Sequence, residues 1–304
     1  MIECDRLTVE RLGAVVLDRL SHTIHAGQTV AVIGRTAAGK TSLLETLATA
    51  IPPQAGTLRI DGNDAATSPT AVRKVVGYVP AGLPAWPTIR VDECLELFAA
   101  SGGLRGHRLA ASVAQSLETV GLTALAGSRI DTLPAGQSKR LLLARALLHD
   151  PAVLLLDNPA ADLDPPGQRL VEDLVNAAHL VGRVVVAAYN DAEVPAGFSD
   201  LLVLSEGRLL RAGPCRPDAY PEVSSWQVRI ACPDAAHQAA QAIGHIATST
   251  EVLDTHALRC VLATRRGPVH EAISVLVRAG LPVAGCRYDP PWPAQLLDSL
   301  ERPA

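Results

Sequence analysis

The stretch Gly34-Arg35-Thr36-Ala37-Ala38-Gly39-Lys40-Thr41, with Ser42 following, carries the pattern G-x-x-x-x-G-K-T. Such a loop does one kind of chemistry. Its backbone N–H groups and the start of the next helix face an anion, the lysine adds a compact positive charge, and the threonine offers a hydroxyl to Mg²⁺. The chain has 24 Arg but only three Lys (Lys40, Lys74 and Lys139), so a lysine at this position stands out from the background. An ammonium is a point charge where a guanidinium is a planar fork, and a phosphate cradle wants the former.

A loop of this kind must be held between a strand and a helix. The β-branched run Thr29–Ile33 precedes it, and KTSLLETLATA follows with helical character. Further along, Thr57–Ile60 with the Asp61-Gly62 turn reads as a strand and hairpin, and Val75–Val79 as a buried strand. Residues 91–123 have helical spacing, followed by a helix over roughly 137–149. Val153–Leu156 is apolar throughout and bounded by Pro151 and Asp157, which fits a central parallel strand buried on both faces. A helix over Pro165–Val181, a strand over Arg183–Tyr189 and a hairpin turning at Glu206-Gly207 complete an α/β pattern with crossover helices.

The segment 213–225 holds three Pro and no periodicity. Residues 1–215 are therefore expected to form one domain with a helical insert at about 82–145, 216–225 a linker, and 226–304 a second domain. The order in the second is strand, helix, strand, strand, helix, strand, the ferredoxin-like α+β arrangement.

At 304 residues, 48% hydrophobic and 19% charged, the chain can bury full cores and is not of the disordered class. A formal charge of −4 and 3% aromatic content argue against a nucleic-acid binder held by phosphate neutralisation or base stacking. The N-terminal MIECDRLTVERLG lacks the apolar core of a signal peptide, and no stretch of 18 uncharged apolar residues is present, so a cytoplasmic protein is expected. The six Cys (Cys4, Cys94, Cys215, Cys232, Cys260, Cys286) lie far apart, as reduced, buried thiols do. Cys232, Cys260 and Cys286 each fall in an expected strand and read as core. His237, His245, His256 and His270 fit no zinc spacing, and Arg265-Arg266 reads as a surface pair.

Several further segments stand at characteristic distances from the loop. They are Gly77-Tyr78-Val79-Pro80, Leu133-Pro134-Ala135-Gly136-Gln137 followed by Lys139-Arg140, Val153-Leu154-Leu155-Leu156-Asp157, and Asp162-Leu163-Asp164-Pro165. In this order residues 1 to about 215 resemble the ATP-binding subunit of ABC transporters. They correspond to the approach to the Q-loop, the LSGGQ signature, the Walker B strand and the D-loop. The C-terminal segment resembles the accessory domain of some ABC-2-type exporter ATPases.

The resemblance implies ATP and Mg²⁺ as ligands. Gly34 to Ser42 would hold the phosphates, Thr41 and Asp157 the metal, and Leu133–Gln137 with Asp164 would face a second ATPase chain in a head-to-tail dimer. It also implies an integral-membrane transporter subunit as partner and a peripheral position at the inner face of the plasma membrane. The hollow between Ala81 and the helical insert, with Pro80, Pro84, Trp86 and Pro87 near it, is where that subunit would dock.

Departures from the family pattern fall on the hydrolytic positions. Asn158 stands where a Glu activates water, and an amide cannot accept the proton. Asn190 stands at the switch His and Ala81 at the Q-loop Gln. In the signature, Pro134 replaces Ser and Ala135 the first Gly, and Arg11 occupies the position of the adenine-stacking aromatic. Losing a general base costs about 10²–10⁴ in rate. The expectation is a subunit that binds MgATP, hydrolyses it poorly or not at all, and pairs with a more complete ATPase. The alternatives are a fully active transport ATPase and a nucleotide-dependent regulatory module without a transporter.

Overall fold

The computed structural model describes the chain except residues 83–87, 160, 191–193, 196, 217–218, 221–224, 264–267, 289–291 and 302–304. Pro84, Trp86 and Pro87 of the expected docking loop, the Arg265-Arg266 pair and much of the expected linker lie outside the described residues. One compact unit comprises Met1–Asn190 and Pro195–Gly213, and another is built on Pro214–Ala304.

The first unit begins with β1 (Ile2–Arg11), β2 (Ala14–Ile24), β3 (Thr29–Ile33), α1 (Lys40–Leu47), β4 (Ala55–Ile60) and β5 (Asn63–Asp64). It continues through α2 (Pro69–Val75), β6 (Val76–Val79), α3 (Val91–Ser101), α4 (Gly106–Thr119) and α5 (Ala135–Leu147). The remainder is β7 (Val153–Asp157), α6 (Pro165–Ala178), β8 (Val184–Ala188), β9 (Asp200–Ser205) and β10 (Arg208–Pro214). An antiparallel sheet runs β2-β1-β4-β5, and a second sheet runs β10-β9-β3-β8-β7-β6 with β9 through β6 parallel.

Every residue of β3, β7 and β8 is buried, Asp157 at the end of β7 included, because these strands are otherwise apolar or small and helices cover the parallel sheet. Leu43, Leu44 and Leu47 of α1 join Val30, Val32, Val153 and Val186 in a core that also takes Ile2, Leu7 and Val9 from the antiparallel sheet. The Asp61-Gly62 turn has φ of 49° and 76°, the left-handed pair that a two-residue hairpin needs. α2 was not expected from the sequence. It is seven residues long and buries only Val72, too little for an apolar period to show.

The second unit contains β11 (Ser225–Ala231), α7 (Ala236–Ile243), β12 (Ala247–Asp254), β13 (Ala257–Ala263), α8 (Pro268–Arg278), β14 (Gly285–Tyr288) and α9 (Trp292–Glu301). Its sheet order is β12-β13-β11-β14, antiparallel throughout. Val228, Ile230, Leu258, Cys260 and Leu262 are buried on one face, against α7 and α8. Burial pushes the Cys260 thiol up to about 12 and that of Cys286 up to about 11. Among the described residues no group of three His, Cys, Asp or Glu is placed to hold a metal ion. α9 was not foreseen; its Trp292 packs against Tyr220 and Trp226.

Candidate nucleotide site

Strand register brings the sequence-predicted residues to one edge of the parallel sheet. Val32 of β3 pairs with Ala188 of β8, Ala188 with Asp157 of β7, and Leu156 with Val79 of β6. The segments leaving these strands, Gly34–Thr41, Asn158, Tyr189-Asn190 and Pro80-Ala81, therefore emerge together at the carboxyl ends, where open α/β sheets place their ligands.

The loop after β3 exposes Arg35, Thr36 and Ala37, while Ala38, Gly39 and Lys40 are buried. Gly39 has φ of 102°, and a Cβ there would lie 2.6 Å from the Val16 carbonyl oxygen. A Cβ at Gly34 would lie 2.3 Å from the Leu204 carbonyl oxygen. Backbone packed this closely admits only glycine at both ends of the loop. Ala37 also adopts a left-handed φ of 65°. The Lys40 ammonium folds back into the loop and donates to the carbonyls of Gly34 (2.6 Å) and Arg35 (2.9 Å). Ser42 lies buried in the first turn of α1.

Thr41 is exposed, and its hydroxyl bonds the carboxylate of Asp157, which is only 2% exposed. The Oδ2 of Asp157 has no hydrogen-bond partner among the described residues. Burial pushes the Asp157 carboxyl above the usual carboxylate range, opposed by the Thr41 bond and the ammoniums of Lys139 and Lys40. A buried, incompletely bonded carboxylate oxygen beside a threonine hydroxyl is a hard-oxygen donor set suited to Mg²⁺.

Asn158 follows with a left-handed φ of 47°, its N–H donating to the Ala188 carbonyl at 2.9 Å. Asn190 is exposed just beyond β8. Pro134 takes the N-cap position of α5, where it offers no side-chain cap, and Ala135 in the first turn is exposed. Gly136 backs onto the Asp162–Asp164 loop, since a Cβ there would lie 3.1 Å from the Asp162 carbonyl oxygen. Leu133 and Gln137 are half-buried. Asp164 is occupied within the chain. It caps α6 by accepting from Gly167 N–H at 3.1 Å and pairs with Arg140 at 3.1 Å. Arg11 is likewise engaged, bonding Glu45 of α1 at 2.8 Å.

One participant was missed. Lys139 is fully buried, and its ammonium donates to the carbonyls of Pro80 (2.7 Å) and Ala81 (2.9 Å). It ties α5 to the end of β6. The scarcity of lysine was the only signal that could have marked it.

The fold and this edge define an α/β cassette of the phosphate-loop class. A family model described as ABC transporter matches residues 17–161. The chain is 33% identical to the phosphate import ATP-binding protein PstB 2 of Natronomonas pharaonis, over 66% of this chain and 76% of that protein. It is 30% identical to the Nod factor export ATP-binding protein I of Burkholderia thailandensis, over 78% of each. The first unit's fold is similar to the ATP-binding cassette MJ0796, in a dimeric post-hydrolysis state bound to ADP and Pi. There the TM-score is 0.65 and identity 23%, covering 71% of this chain and 99% of that one. The chain belongs to the ABC transporter family of ATP-binding proteins. Among the described residues no helix is long and apolar enough to cross a membrane.

Proposed function

We propose that this chain is the MgATP-binding subunit of an ABC-2-like membrane transporter, that it hydrolyses ATP slowly or not at all, and that it pairs head-to-tail with a more complete ATPase chain. The observation that carries this reading is a division of labour at the sheet edge. The holding groups Lys40, Thr41 and Asp157 are intact and converge, while the adjoining positions carry Asn158, Asn190 and Ala81.

On binding, Lys40 would exchange its two carbonyl partners for phosphate oxygens, and the loop N–H groups would face the same charge. Thr41 and Asp157 would hold Mg²⁺, which neutralises phosphate charge when present. The side-chain amide of Asn158 has no basic site to take a proton from water. Nucleotide at about 100-fold over Kd stabilises the state that binds it by roughly 2.7 kcal/mol, enough to favour a closed dimer without cleavage.

The membrane partner is assigned to the hollow of about 490 Å³ lined by Arg73, Lys74, Tyr78, Phe98, Arg145 and His149. It lies against β6 and the helical insert, and a membrane subunit seated there would hold the chain at the inner membrane face.

The test is nucleotide binding and radiolabelled ATP hydrolysis by the purified chain, beside its Lys40→Ala and Asn158→Glu variants. Tight MgATP binding that Lys40→Ala removes, with turnover near background, is expected. Brisk turnover by the unmodified chain alone would favour the fully active ATPase.

A further inference from the structure

β11 is an inner strand of the second unit's sheet, and its register aligns charges of one sign. Arg229 pairs with Arg259 of β13 on one side and with Arg287 of β14 on the other; Arg259 in turn pairs with Glu251 of β12. Directly paired residues share a face, so three arginines form a row across three strands with one acid at its end. The face is the one opposite the buried Val228, Ile230, Leu258 and Cys260.

Arg259 bonds Glu251 at 3.3 Å. Arg229 is half-buried and Arg287 exposed, and neither has a hydrogen-bond or ion-pair partner among the described residues. Three of the seven arginines between residues 222 and 304 are spent on this row. Like charges facing each other on strands about 4.8 Å apart repel, so the arrangement gains nothing from folding alone. Beside the row Ala231 pairs with both Ala257 and Gly285, so only small residues flank the arginines on that side.

We propose that this row is a binding site for a soluble anion carrying two or more phosphate groups. Guanidinium forks match phosphate oxygens bidentately, and the row, Glu251 included, has a surplus of two positive charges. It spans roughly 10 Å across the strands, more than one phosphate fills. It is one residue deep along them, which suits a compact anion better than an extended acidic peptide.

The test titrates inorganic tripolyphosphate into the full chain carrying Lys40→Ala, which removes the phosphate loop as a competing site, and follows heat and melting temperature. One salt-sensitive binding event is expected. Adding Arg229→Gln and Arg287→Gln weakens it at least tenfold, whereas Arg229→Lys stays within a few-fold. Without anion, Arg229→Gln raises the melting temperature by relieving repulsion. Unchanged affinity in the double glutamine variant overturns the proposal, as does a lower anion-free melting temperature for Arg229→Gln, which marks a structural arginine. Binding to phosphatidylglycerol vesicles with no response to tripolyphosphate assigns the row to a membrane and overturns it equally.

Discussion

The buried ammonium of Lys139 reaches the carbonyl oxygen of Ala81 at 2.9 Å, across 58 residues of sequence. By the motif resemblance Ala81 stands at the expected Q-loop glutamine, and its methyl side chain can do none of a glutamine's bonding. Its backbone is instead held by a cation from α5, the helix whose first turn is the Ala135-Gly136-Gln137 segment. α5 and the end of β6 are thus joined by one side chain.

Replacing Lys139 by Met would leave the Pro80 and Ala81 carbonyls unbonded in a partly buried site. Each such acceptor costs about 1–3 kcal/mol, so Lys139→Met is expected to destabilise the first unit by roughly 2–4 kcal/mol. Denaturant unfolding checks this, and hydrogen exchange should quicken first at the end of β6 and the start of α5.

Asp157→Asn separates stability from binding. The upward shift of the Asp157 carboxyl means that burial outweighs the attraction of both ammoniums, so the ionised group costs stability in the folded state. The amide variant without nucleotide is expected to melt higher than the parent. Its Mg²⁺-dependent ATP affinity should fall roughly ten- to hundredfold, the loss of one charge-assisted bond of about 1.5–3 kcal/mol. Calorimetry with and without Mg²⁺ reads both.

Gly39→Ala places a Cβ 2.6 Å from the Val16 carbonyl oxygen at a φ of 102°. Neither backbone segment can yield cheaply, and a loss of about 2 kcal/mol or more is expected, with nucleotide binding abolished. Parent-like binding by this variant would mean that the loop can re-form without its glycine.

His149 supplies a pH signature. Its ring lies over Gly102, where a Cβ would come within 2.0 Å of it, and burial holds its pKa below 6.5 despite a hydrogen bond to the Phe98 backbone. The unfolded chain therefore takes up this proton first as pH falls. The His149 contribution is intact above about pH 6.5, declines below it and is fully lost below the folded pKa. His22 shifts in the same direction, so the readout is the stability difference between the parent and His149→Gln. That difference should narrow from pH 7.5 to pH 5, followed by urea unfolding.

Much of the candidate site was legible because its chemistry is local in sequence. The eight residues from Gly34 to Thr41 carry their own turn and charge, and Val153–Asp157 shows its double-sided burial in its composition. The Asp164-Pro165 pair announced the start of α6, which the structure caps with the Asp164 side chain. Short elements with little apolar surface escaped: α2 buries one residue, and α9 follows directly on a Pro-rich stretch. Two residues have intrachain contacts that spacing alone does not show. Arg11, at the position of the adenine-stacking aromatic, bonds Glu45 of α1. Asp164, expected to face a second chain, also caps α6 and pairs with Arg140 within its own.

The amino-acid order alone determined the phosphate-binding loop and the succession of motifs that places the chain in its family, since these depend on residue type and spacing. Only the tertiary structure decided that Lys139 holds the Ala81 backbone, that Asp157 is buried with one oxygen unpartnered, and that Arg259, Arg229 and Arg287 stand abreast. Those facts follow from strand register and from which distant segments exclude water together. A shift of one residue in β13 or β14 would turn its arginine to the opposite face, and no local pattern records which register wins.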